Sequence, residues 1–185
     1  MTVADETMIE VQNLTDSVVA YNVPETGLLR EFAGQQVRKI SAGELRMLYS
    51  ARGGKALLEN YLSIKDKDLA KEFNISDDAF EHEYNWTQKE VDTVLKYGSL
   101  DALKDALEFG PDGIKELIID RAVALKIPDT NKLKAIEEFT GRNVSYMIEV
   151  MNLSEDSSDD DAAPKSRRVS GKTPQTQESK RRVSK

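Results

Sequence analysis

The chain has no cysteine, which removes disulfides, thiolate metal sites and thiol nucleophiles together. That fits a reducing compartment. Histidine is nearly absent too. The single one, His82, stands between Glu81 and Glu83. Residues one apart do not share a helix face, so this triplet makes a poor metal site. It reads as a solvated loop histidine whose flanking carboxylates favour the protonated form. No Gly-x-x-x-x-Gly-Lys-Ser/Thr pattern, dinucleotide fingerprint, nucleophile triad or zinc spacing occurs. No apolar run reaches the roughly 18 residues needed to span a bilayer. The N-terminus lacks the basic stretch and apolar run of a signal peptide. These absences lead us to expect a protein made in the cytoplasm that is not an enzyme, carries no cofactor or metal, and does not engage membranes.

What the chain does have is charge, unevenly spread. Its 185 residues are 32% charged, with a formal net charge of −7. Residues 1–153 carry 18 Lys/Arg against 27 Asp/Glu. Residues 154–161 carry five acids and no base, and residues 162–185 carry eight bases and one acid. An acidic body thus leads through a more acidic linker into a basic end, a pattern typical of interaction tails.

The body reads as α+β. Residues 1–7 are expected to be disordered. Over residues 8–40, β-branched and aromatic runs alternate with turn-forming stretches such as Thr15-Asp16-Ser17, Pro24-Glu25-Thr26-Gly27 and Ala33-Gly34. Three or four short strands follow, and they must be antiparallel because no link is long enough for a parallel crossover. So few residues cannot bury much surface alone, so the sheet has to pack on helices.

Between residues 41 and 85 short connecting helices are expected. Ser41-Ala42-Gly43-Glu44 has capping-box spacing, with the Glu44 side chain predicted to reach back to the Ser41 amide. Arg52-Gly53-Gly54 reads as a helix stop, the competing reading being a phosphate cradle with Lys55. Lys55–Tyr61 and Asp66–Phe73 read as two further helices.

Residues 86–153 read as a bundle of four short helices in series, or five if the last is counted separately. Thr87 with Glu90 forms a second capping box, and Trp86 a hydrophobic staple with Val91. Ser99, Asp129 and Asn143 are candidate caps, Gly98, Gly110 and Gly141 candidate stops, and Pro111 suits a first helical turn. The tight links at Gly98-Ser99 and Gly110-Pro111 call for sharp corners. That geometry raises helix-turn-helix DNA reading, which the acidic helices argue against. The carboxylate pairs Asp101/Asp105 and Asp112/Glu116 lie at i, i+4 and read as solvated surface.

Residues 154–185 have too few apolar side chains to offset chain entropy and are expected to be disordered. Two near-identical units, Ser166–Lys172 and Ser179–Lys185, each contain Arg-Arg-Val-Ser. Lys165, Arg167, Arg168, Lys172, Lys180, Arg181, Arg182 and Lys185 are the candidate nucleic-acid or partner-binding residues. Ser170 and Ser184 are candidate phosphorylation sites, because Arg-Arg-Val-Ser resembles the target of basophilic kinases. The tail reads as a nucleic-acid tether, a docking segment for an acidic protein surface, a regulated site, or a solubilising end that folds back on its own acidic body.

Val11-Gln-Asn-Leu-Thr-Asp-Ser17, Ile40-Ser-Ala-Gly-Glu-Leu-Arg46, Arg52-Gly-Gly54, Glu83-Tyr-Asn-Trp-Thr87 and Gly98-Ser-Leu-Asp-Ala-Leu103 together give the body a further meaning. Over residues 8–150 it resembles uncharacterised proteins encoded by tailed bacteriophages of Gram-positive bacteria. These motifs are mainly turns and caps. The resemblance leaves out the tail and implies no catalytic residues. It implies a small phage protein located in the host cytoplasm or the virion, a virion structural or assembly-associated component whose partners are other virion proteins. The alternative is a nucleic-acid-associated regulatory protein held by its basic tail.

Overall fold

A computed structural model describes residues 3–23, 26–75 and 84–158, the side chains of the last four residues excepted. Expectations that fall on residues 76–83 or 159–185 lie outside the described residues. The fold is α+β, with five strands in two small antiparallel sheets and eight helices among the described residues.

Strand β1 (Met8–Asn13) is the centre of the larger sheet. It is flanked by β4 (Val37–Ser41) and β5 (Leu62–Ile64), both antiparallel to it. Alternation aims Ile9 and Val11 into the core, and the register sets Ile9 opposite Ile40 and Val11 opposite Ile64. Strands β2 (Val19–Val23) and β3 (Leu28–Phe32) form a separate hairpin. It buries Tyr21, Val23 and Phe32 on the side that joins the same core. Strand β5 was not expected. Three residues are too few to show a period, and only pairing with β1 defines them as a strand.

Helices α1 (Ala42–Ser50), α2 (Gly54–Asn60) and α3 (Lys67–Glu72) close over the sheets. Leu45, Leu48, Leu58 and Leu69 complete this first core, and Tyr49 stacks on Phe73 with ring centroids 4.6 Å apart. Residues 3–7 are a correction to the expected disordered start. They form a turn tied to α1 by Ala42 N–H to Thr7 O and Gly43 N–H to Asp5 O. Arg46 adds bonds to Val3 O (2.6 Å) and to the Asp5 carboxylate, and Val3 packs on the core.

Helices α4 (Gln88–Tyr97), α5 (Leu100–Phe109), α6 (Asp112–Ala124), α7 (Thr130–Thr140) and α8 (Val144–Ser158) build a second core around Leu95, Leu103, Leu117, Ile118 and Ile136. The last helix is separate, so the array has five. The closest packing is between alternate helices, α4 on α6, α5 on α7 and α6 on α8. This is the outcome expected of tight corners rather than long parallel neighbours. Ser99 accepts from Ala102 N–H, Asp129 from Asn131 and Lys132 N–H, and Asn143 from Tyr146 N–H, as their cap positions predict. Glu90 reaches back to the Thr87 amide at 2.6 Å. Trp86 packs on this core and meets Tyr84 edge to face, with centroids 6.0 Å apart. Pro111 sits at the cap, one residue before α6, with φ −64°. Helix α8 runs past the expected boundary at Leu153 to Ser158, because an established helix continues into Ser and acidic residues that alone would not start one.

Candidate functional site

The polar side chains withdrawn from solvent are few, and each serves the join between elements. Asn13, at the end of β1, is fully buried. Its Nδ2 donates to Ser17 O (2.8 Å) and Ala33 O (3.0 Å), and its Oδ1 accepts from Thr15 N–H (2.9 Å). One amide thereby closes the β1–β2 and β3–β4 loops onto each other. Gly34 completes the crossing: a Cβ there would lie 2.1 Å from Asp16 O, so no larger residue fits without moving backbone. Just beyond, Leu14 leaves the sheet and enters the helical core.

Arg121 on α6 fastens the same loop to the helices. Its Nε and Nη2 donate to the two Asp92 oxygens at 2.7 and 2.8 Å, and its Nη1 lies 3.9 Å from Asp16 Oδ2. Burial raises the Asp16 carboxyl above its ordinary range against the pull of Arg121, and the nearby Asp120 and Asp92 add to that rise. Burial likewise raises Asp120, which Arg142 opposes.

Glu44 corrects an expectation. Ser41 does accept from Glu44 N–H (3.3 Å), but the Glu44 carboxylate does not return to the Ser41 amide. It points into the fold and accepts from Tyr21 Oη (2.5 Å), Arg30 Nε (3.0 Å) and Arg30 Nη2 (3.0 Å). Burial would raise its pKa, but the hydrogen bonds from Arg30 and Tyr21 outweigh burial and hold it below the usual carboxylate range. Burial and the bond to Glu44 raise the Tyr21 phenol strongly. A capping-box pattern is local, and the bidentate guanidinium from the hairpin is the better partner.

Lys132 on α7 is 5% exposed. Its Nζ donates to Val94 O (3.0 Å) and Leu95 O (2.9 Å), carbonyls of the last turn of α4. A cation on those carbonyls also meets the negative end of the helix dipole. Nothing in the local pattern marks Lys132, since Asp129, the cap beside it, accounts for the helix start.

A cleft of about 310 Å³ opens where the two cores meet. The end of α2 and β5 form one wall, and the α5–α6 corner with Tyr84 and Asn85 forms the other. Asn85 Nδ2 donates to Ser63 Oγ (3.0 Å) across it, and Tyr84 Oη donates to Asp105 (2.6 Å). Leu14, Leu58, Leu62 and Phe109 supply apolar surface. The volume is at the small end for a ligand site. The cleft presents an amide, a hydroxyl and apolar walls, which suits packing a side chain rather than bond chemistry.

The expected site residues divide plainly. His82, Lys165, Arg167, Arg168, Lys172, Lys180, Arg181, Arg182, Lys185, Ser170 and Ser184 lie outside the described residues. At Arg52-Gly53-Gly54 the stop reading accounts for the geometry. Gly53 has φ +82°, and Gly54 is pressed on Leu48 O, where a Cβ would come within 1.7 Å. Asp105 is engaged by Tyr84, and Asp112 pairs with Lys115 at 3.1 Å. Glu116 takes the Tyr61 phenol, which burial and then the Glu116 and Asp112 carboxylates raise. Among the described residues no group of three or more His, Asp or Glu side chains could hold a metal ion, and no helix is long and apolar enough to cross a membrane. No family model, curated protein or solved structure matches this chain.

Proposed function

We propose that this chain is a non-enzymatic binding protein, a structural or assembly-associated component of a tailed-phage virion. The observation that supports this reading is the use to which its buried polar groups are put. Asn13, Glu44, Arg121 and Lys132 all bond to neighbouring elements of the fold. No buried side-chain nitrogen or oxygen among the described residues lacks a partner. Such a body is a rigid platform, which is what an assembly subunit requires, and its surface and tail are left for partners. The phage assignment itself rests on the motif resemblance over residues 8–150. Quantifying the protein in purified particles tests it: a fixed integer copy number per particle is expected, and absence from particles refutes it.

The second reading is a nucleic-acid-associated regulator, favoured by the eight bases and one acid of residues 162–185. Lys165, Arg167, Arg168, Lys172, Lys180, Arg181, Arg182 and Lys185 would neutralise phosphates without reading bases. The test is a titration with DNA and RNA at about 50 and 200 mM salt, where six to ten phosphate contacts lose roughly 10³–10⁵ in affinity. The comparison chain should end after Asp161, which leaves α8 whole. Binding that survives the deletion, or ignores salt, sinks the tether. Phosphorylation at Ser170 and Ser184 would subtract about 1.5–2 charges each, roughly half the tail's excess, and should weaken such binding.

A further inference from the structure

We draw no further inference here: the strongest candidate, the cleft walled by the end of α2 and β5 on one side and by the α5–α6 corner on the other, carries nothing, because Asn85 and Ser63 in its lining bond to each other and nothing in the structure shows what covers it.

Discussion

Replacing Glu44 by Gln should destabilise the protein by about 2–3 kcal/mol at pH 7. The carboxylate accepts three hydrogen bonds, two from Arg30 and one from Tyr21. Bonds to a charged group contribute about 1.5–3 kcal/mol each when buried. The Glu44 side chain is 9% exposed but Arg30 is 34% exposed, so solvent screens the guanidinium and the sum must be discounted. Gln retains one acceptor oxygen and turns an amide donor toward Tyr21 or Arg30, leaving a buried donor unmatched. For a chain of this size the loss corresponds to roughly 5–10 °C in Tm.

The pH dependence makes the test sharp. The folded-state pKa of Glu44 lies below its ordinary 4.5, so its contribution is present above 4.5 and lost as pH falls through the folded value. The folded-state pKa of Tyr21 lies above its ordinary 10.0, so its contribution is present below 10.0 and lost as pH rises through the folded value. Denaturant unfolding of both proteins should therefore show a gap that is constant from about pH 5 to 9 and narrows in acid as Glu44 protonates. A gap under about 0.5 kcal/mol at pH 7, or one of the same size at pH 3, would refute this reasoning.

Lys132→Met should cost about 1–3 kcal/mol, because it strips two charge-assisted bonds from the last-turn carbonyls of α4. The urea midpoint should fall with the slope unchanged. Gly34→Ala should cost about 2 kcal/mol or more by forcing apart the two loops that Asn13 closes, and the thermal melt reads this directly. Asp120→Asn should act in the opposite direction. Burial raises the Asp120 pKa above 3.8, so its ionised form is disfavoured in the fold. The variant should gain roughly 0.5 kcal/mol at pH 7, after allowance for solvent screening, and lose that advantage near pH 3.

What was legible in the sequence was what is local. Ser99, Asp129 and Asn143 announce helix starts because a short side chain and a backbone amide a few residues on suffice to make the cap. The strand runs of residues 8–40 were legible through alternation. Glu44 was misread because its partner, Arg30, comes from a hairpin that local spacing cannot see. Lys132 was missed because lysine is almost never buried unless paired, and its partners are carbonyls far away in sequence. The Arg121–Asp92–Asp16 group was invisible for the same reason as Glu44. The basic units of the tail, which lie outside the described residues, were legible by composition alone, which names a chemistry but no geometry.

The placing of β1 at the centre of its sheet has a consequence for synthesis. It leaves the ribosome before its neighbours β4 and β5, which begin at Val37 and Leu62. At about 5–20 residues per second, the gap between β1 and β5 lasts roughly 3–10 s. Throughout it the nascent chain carries a strand bearing Ile9 and Val11 with at least one edge unpaired, a template for pairing with other chains. Leu14, next to it, waits longer still, since the helices that enclose it are made later. Yield in the cell should therefore depend on translation speed through residues 40–64, and on chaperone capacity, more than on the stability of the finished fold.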